Sequence, residues 1–253
     1  MVLKTGSAFV KTKEELEVMR RAGRIVGKLL KLMEKEAQPG VSTKRLDELA
    51  ESFIRSEGAE PAFKGYYGYP ASICASINEE GVHGIPGPRL LKEGDIIGID
   101  VGAKLDGYYS DAARTFSIGQ VDPDSLRLIE VTRQALLRGI GQAVEGNRLT
   151  DISWAVQSFA EKEGFSVVRQ YVGHGIGTKL HEEPQVPNYG KPHQGPELVE
   201  GMTLAIEPML NMGTPEVEVL EDGWTVVTKD RKRSGHFEQT IFVGKNKAEI
   251  VTE

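Results

Sequence analysis

Apolar residues recur at helical spacing from the start of the chain. Leu16, Met19, Ala22, Val26, Leu29 and Met33 follow Thr12 and Glu15, whose Thr-x-x-Glu spacing is that of a capping box. The pattern predicts an amphipathic helix opening near Thr12. After the Pro39-Gly40 break, the segment Gly40–Gly58 sets Leu46, Leu49, Ala50, Phe53 and Ile54 on one face of a second helix. Short apolar runs then read as strands, Ile96-Ile97-Gly98-Ile99 and later Leu204-Ala205-Ile206, and each ends on a carboxylate, Asp100 and Glu207. Asp106-Gly107 is a hairpin signal.

The pattern occurs twice. Gly146–Gly164 matches Gly40–Gly58 in length, bounding glycines and an internal Ser-Phe, and a helix opening at Asp122-Pro123 precedes it as the Thr12 helix precedes the first copy. Leu198–Met209 aligns without a gap on Leu91–Gly102, so Glu207 falls on Asp100. Asp111–Gly119 corresponds loosely to Glu238–Gly244, which brings Asp111 near Glu238. Two copies of this length are too few for a solenoid. The expectation is a single domain over 1–253 with pseudo-repeats at about 12–119 and 122–244. Its α+β halves would be related by a pseudo-two-fold, with the four carboxylates converging where the sheets meet.

Composition narrows the classes. A net charge of −6 argues against a general nucleic-acid binder, which needs a clustered basic surface. Lys11, Lys13, Arg20, Arg21, Arg24, Lys28, Lys31 and Lys35 do gather around the first helix. Glu14, Glu15, Glu17, Glu34 and Glu36 are interleaved with them, and the reading is a solvated face. Cys74 is the only cysteine, so no intrachain disulfide can form and any metal must be held by oxygen and nitrogen. The opening residues have no continuous apolar stretch before acids arrive, and no later run could span a bilayer. A soluble cytoplasmic protein is expected.

A carboxylate closing a buried strand is costly unless a cation or hydrogen bonds compensate it. One such acid is commonly a turn cap; two at equivalent repeat positions point to a cation. Asp100 and Asp111 flank the glycine-punctuated segment around Asp106-Gly107. Folding back could bring them together on adjacent strands or leave them at opposite strand ends. His174 stands in Gly173-His174-Gly175-Ile176-Gly177, where glycines let backbone approach whatever the imidazole touches. His83, His181 and His236 also fall beside candidate motifs. Four carboxylates and one imidazole suit two divalent cations such as manganese, iron, cobalt or zinc better than magnesium. A bridged pair of such ions activates water and polarises a carbonyl, the requirement for amide hydrolysis.

These residues resemble those of the type I methionine aminopeptidases over essentially the whole chain. The shared motifs include SINEEGVHGIP, IDVGAKLDGYYSDAARTF, GHGIGTKLHEEPQVPNYG, LAIEPM, DGWTVVTKDR and FEQTIFV. The resemblance implies the pseudo-symmetric "pita-bread" fold, antiparallel sheets with helices outside and a dinuclear metal site at the centre. It implies that Asp111 and Glu238 bridge two metals, that Asp100 chelates one, and that His174 and Glu207 hold the other. His83 would contact the substrate's amino end, His181 would hydrogen-bond the scissile amide, and Glu207 would be the general base. By motif position, Phe63, Tyr66, Tyr69, Cys74, Leu180 and Trp224 would line the methionine pocket. Phe63 and Leu180 depart from the best-known bacterial pattern, which has cysteine and phenylalanine there. The implied activity is removal of N-terminal methionine from peptides and nascent polypeptides with a small second residue, by a monomer in transient contact with the ribosome.

Two rivals make different predictions. The aminopeptidase P and prolidase group shares the fold but usually carries a sizeable N-terminal domain, whereas the first repeat helix here begins near Thr12. A binding protein that had lost catalysis should show eroded ligands, and all five are present.

Overall fold

The computed structural model describes residues 3–5 and 8–253 of the chain. Helix α1 (Lys13–Glu36) opens on the capping box read from the sequence. Thr12 Oγ1 accepts from the Glu15 N–H at 3.2 Å, and the Glu15 carboxylate accepts from the Thr12 N–H at 2.7 Å. The stripe Met19, Ala22, Val26, Leu29 and Met33 is buried. Helix α2 (Thr43–Ser56) starts at a Ser42 cap and buries Leu46, Ala50 and Ile54. The second pair repeats this order: α3 (Pro123–Ile140) is capped by Asp122 with proline in its first turn, and α4 (Leu149–Lys162) is 14 residues long, as α2 is.

Each helix pair covers one antiparallel sheet. In the first, β1 (Ile73–Ile77), β2 (Ile96–Leu105) and β3 (Tyr108–Ser117) are built on β2, which pairs with β3 along its length. The other edge of β2 takes β1 and the short strand Glu60–Pro61. Asp106 and Gly107 make the β2–β3 turn with φ of 49° and 86°, the two positive values that a type I′ hairpin demands. The second sheet contains β4 (Gly173–Gly175), β5 (Glu182–Val186), β6 (Thr203–Ile206) and β7 (Gln239–Phe242). Its spatial order is β5-β4-β6-β7, with Glu249–Ile250 added on the far edge. Leu29, Leu30, Leu46 and Ile54 pack on Ile97, Ile99 and Val101 of the first sheet. Leu136, Ile140 and Ile152 pack on Leu204, Ile206 and Ile241 of the second. Burial of these apolar faces is what holds helices to sheets.

Backbone bonds join the halves. Glu238 N–H donates to the Ala113 carbonyl at 2.9 Å and Ala113 N–H returns the bond at 3.3 Å, while Asp111 N–H reaches Thr240 Oγ1 at 3.1 Å. The edge of β3 therefore runs beside the chain entering β7. The C-terminal residues lie so close to α1 that a Cβ at Gly23 would meet the Val251 carbonyl oxygen at 2.2 Å. Lys11 corrects the solvated-face reading of the first basic cluster. It is buried, ion-paired with Glu182 at 2.7 Å, and so fastens the start of α1 to β5. No helix among the described residues is long and apolar enough to cross a membrane.

Candidate metal centre

Register decides which side chains meet. Across the β2–β3 ladder Asp100 faces Ala113 and Asp111 faces Gly102. Because side chains alternate between faces, the two acids share one face as diagonal neighbours. Of the two arrangements open from spacing, the chain adopts the first. In the second sheet, Ile206 faces Gln239, so the next residues outward, Glu207 and Glu238, lie side by side; Ala205 faces His174, which brings the imidazole in from the adjoining strand. Each sheet thus supplies one acid from each of two neighbouring strands, and β4 adds the histidine.

Ligand-capable atoms of Asp111, His174 and Glu238, all buried, lie within 4.8 Å of one another. His174 Nε2 is 3.6 Å from Asp111 Oδ2 and 3.5 Å from Glu207 Oε1. Its Nδ1 is 2.9 Å from the Gly175 carbonyl oxygen. A carbonyl only accepts, so Nδ1 carries the proton, and in the neutral ring Nε2 presents a lone pair to the carboxylates. The Oδ1 atom of Asp100 is buried with no hydrogen-bond partner among the described residues. Acceptors facing acceptors in a buried cleft are repulsive unless a cation lies between them, and this donor set fits divalent metal ions.

The electrostatics agree. Burial pushes Asp100, Glu207 and Glu238 well above the ordinary carboxylate range; neighbouring acids push Glu207 and Glu238 further, and Asp111 does the same to Asp100, opposed by its contact with Glu238. Asp111 rises to about 6 through burial, opposed by the neighbouring His181 ring and by the Thr240 hydroxyl, which donates to its Oδ1 at 3.0 Å. Burial brings His83, His174 and His181 down to about 4, so all three are neutral at pH 7. Tyr66 Oη lies 2.8 Å from His181 Nδ1, and burial raises the phenol to about 12, so it keeps a proton to donate.

All six pocket positions inferred from the resemblance line one cavity of about 200 Å³, whose other wall is formed by the five candidate ligands with His83 and His181. Tyr69 is buried, meets Trp224 edge to face at 5.1 Å between centroids, and bonds backbone carbonyl oxygens of Ile73 and Gly84 at 3.0 Å. Phe63 packs so tightly on β2 that a Cβ at Gly102 would come within 2.8 Å of its ring. On the other side of His83, His174, His181 and Glu207 a trough of about 660 Å³ opens past Tyr171, Lys179 and Gln185.

Two residues that line the site, Tyr67 and Tyr171, escape the sequence reading, and a third, His236, is noted there without a role. Tyr67 also lines the cavity, 85% exposed and held at φ 47°. Tyr171 stacks edge-on to His83 at 5.3 Å between centroids. Its only sequence signal is its place just before Gly173-His174. His236 stands out by residue type beside Glu238, but nothing in the sequence gives it a role; its Nε2 lies 3.8 Å from Glu207 Oε2.

Comparison with known proteins follows the same lines. Residues 17–245 match the model of metallopeptidase family M24. Methionine aminopeptidase 1 of Bacillus subtilis is 54% identical over 242 residues, covering 96% of this chain and 98% of that protein. The crystal structure of methionine aminopeptidase from Thermotoga maritima superposes with a TM-score of 0.96 at 46% identity, covering 97% of this chain and 99% of that one. Prolidase from Pyrococcus furiosus, at 23% identity and a TM-score of 0.78, shares the fold and is covered over only 65% of its length. With the ligand cluster, the two duplicated sheets and these likenesses in hand, the chain belongs to metallopeptidase family M24 and, within its pita-bread fold, to the methionine aminopeptidases.

Proposed function

We propose that the chain hydrolyses the first peptide bond of peptides and nascent proteins that begin with methionine. The observation that carries this reading is the position of the ligand cluster, between a lined cavity of about 200 Å³ and an open trough of about 660 Å³. One terminal side chain fills the cavity and the remaining peptide leaves through the trough, which is the shape an exopeptidase needs. Prolidase-like cleavage has less support, since the likeness to prolidase, at 23% identity, is one of fold alone.

Two divalent cations, cobalt, manganese, iron or zinc, would be held by Asp100, Asp111, His174, Glu207 and Glu238. Bound there, they would lower the pKa of water and polarise the scissile carbonyl. Glu207 takes the proton of the attacking water. His83 contacts the substrate's amino end and assists proton transfer. His181, accepting a hydrogen bond from the Tyr66 hydroxyl on Nδ1, donates from Nε2 to the scissile amide as charge develops there. Phe63, Tyr66, Tyr69, Cys74, Leu180 and Trp224 offer the dispersion and sulfur contacts that suit a thioether. A bulky second residue collides with the site wall, so a small one is preferred. The setting is the cytoplasm, with a monomer meeting nascent chains in transient contact with the ribosome and binding neither membrane nor nucleic acid stably.

The test is release of methionine from Met-Ala-Ser by purified protein reconstituted with manganese, iron or cobalt. Cleavage of an Xaa-Pro peptide with no methionine release would overturn the proposal.

A further inference from the structure

His236 is buried, at 4% exposure, and its Nε2 has no hydrogen-bond partner among the described residues. A buried polar nitrogen left in that state calls for an explanation. Its surroundings supply one. Glu207 stands between two imidazoles: its Oε1 is 3.5 Å from His174 Nε2, and its Oε2 is 3.8 Å from His236 Nε2. The two rings are not equivalent. His174 has committed the proton on Nδ1 to the Gly175 carbonyl, so it brings a lone pair to Glu207.

The backbone of His236 is clamped from both halves of the molecule. Its N–H donates to Thr115 Oγ1 at 2.9 Å, its carbonyl accepts from the same hydroxyl at 2.9 Å, and it sits opposite Met209 in the ladder formed by Ser234–His236 and Met209–Asn211. Thr115 belongs to β3 and Met209 lies two residues beyond Glu207. The backbone of His236 is therefore tied to two of the four segments that carry the acids of the centre, those of Asp111 and Glu207, and Oε2 of Glu207 needs to approach by about 1 Å to bring 3.8 Å to hydrogen-bond distance.

We infer that His236 is a positioning residue for Glu207: it donates from Nε2–H to Oε2, which leaves Oε1 turned toward His174 and the metal-binding cleft. The inference rests on the reading of Glu207 as ligand and base. It divides the two duties of that carboxylate between its oxygens. A carboxylate held at one end by a neutral donor keeps its orientation whether or not substrate is present, and orienting partners of this kind typically support metal affinity or activity by about 10- to 100-fold.

The experiment uses the full chain, with zinc as the probe because it is diamagnetic. In ¹⁵N-histidine spectra, with the His236 signals assigned by their loss in His236→Gln, the wild-type ring is expected to carry its proton on Nε2 both before and after zinc is added. A proton on Nδ1 alone would overturn the inference, and so would loss of the Nε2 proton on zinc addition, which would make His236 itself a ligand. Calorimetric titration of His236→Leu should show zinc affinity weakened by about 10- to 100-fold. Its kcat for Met-Ala-Ser should fall with KM little changed, and His236→Gln, which keeps an N–H donor of similar reach, should recover most of both losses. Wild-type zinc binding in His236→Leu, or equal impairment of the two variants, would show that the ring only fills space. If His236→Leu does not fold, the wild-type spectra still decide. Neither the spectra nor the zinc titration involves a peptide, so a wild-type protein that failed to release methionine would sink the proposed activity and leave this test standing.

Discussion

Tyr66 Oη lies 2.8 Å from His181 Nδ1, and the two rings meet edge to face at 5.2 Å between centroids. This one bond links the wall of the apolar cavity to the imidazole proposed to serve the scissile amide. Phenylalanine at position 66 would keep the wall and remove the donor, releasing His181 to either tautomer. Loss of one such bond costs about 1 kcal/mol, so Tyr66→Phe is expected to lower kcat by roughly 5- to 10-fold. Metal affinity should be unchanged, because the Tyr66 hydroxyl bonds His181 and not a candidate ligand. Steady-state kinetics beside a metal titration check this; equal activity in Tyr66→Phe would mean that the phenol does not orient the ring.

Glu207→Gln keeps the size of the side chain and abolishes its basicity. Removal of a general base typically costs 10²- to 10⁴-fold, and a loss in turnover of about that size is expected. Metal stoichiometry, measured on the same preparation, separates the two proposed duties of the residue. A variant that holds its metal and turns over near normally would remove Glu207 from the base role.

Much of the architecture is legible in the sequence because it rests on local signals. The Thr12–Glu15 box, the Asp122-Pro123 start and the Asp106-Gly107 turn each act within a few residues, and each appears where the sequence predicts it. The pairing of Asp100 with Asp111 is half legible: the hairpin signal says that the chain folds back, but only register decides that both acids share a face. His236, Tyr67 and Tyr171 have no comparable signal. Their positions follow from contacts between segments far apart in the chain, such as Thr115 with His236, and spacing carries no information about those. Lys11 was misread for the same reason, since its partner Glu182 lies in the other half.

Metal removal should make stability respond to pH in the opposite sense from the loaded protein. Without cations, Asp100, Glu207 and Glu238 have folded pKa values well above the ordinary range and Asp111 stands at about 6. Groups raised on folding contribute stability that is fully present below their unfolded values and lost as pH rises through the folded ones. The metal-free protein is therefore expected to weaken from the ordinary carboxylate range upward through about 6 and beyond. Bound cations hold the same carboxylates ionised, so their contribution is lost as pH falls. The gap in Tm between loaded and chelator-treated protein should widen steadily from acid to neutral pH. A gap independent of pH would mean that these carboxylates are not what the metal neutralises.

Gly102 lies beneath Phe63, a wall residue of the proposed methionine pocket. A Cβ there would come within 2.8 Å of both the Phe63 ring and Ala62 Cβ, and β2 is held on both edges, so the ring must yield. It moves toward the cavity of about 200 Å³. Gly102→Ala is expected to raise KM for Met-Ala-Ser severalfold while kcat for bound substrate changes less, since overpacking of about one methyl group narrows the pocket without touching the reacting groups. Unchanged KM would place Phe63 outside the pocket's working wall.

The last prediction joins stability to the metal centre through the C-terminus. At Gly23 a Cβ would lie 2.2 Å from the Val251 carbonyl oxygen, and at Gly27 one would lie 2.5 Å from that of Glu253. Glu253 is exposed, so its displacement disturbs little packing. Val251 cannot move alone, because its N–H bonds the Thr240 carbonyl at 3.1 Å, and the Thr240 hydroxyl in turn donates to Asp111 Oδ1 at 3.0 Å. Gly23→Ala should therefore cost about 1–3 kcal/mol of stability and also loosen metal binding, whereas Gly27→Ala should cost less and leave the metal site intact. Denaturant titration of both variants, each paired with metal titration, checks the relay. Equal metal affinity in Gly23→Ala and wild type, despite a lowered midpoint, would show that displacement of the tail stops at Thr240.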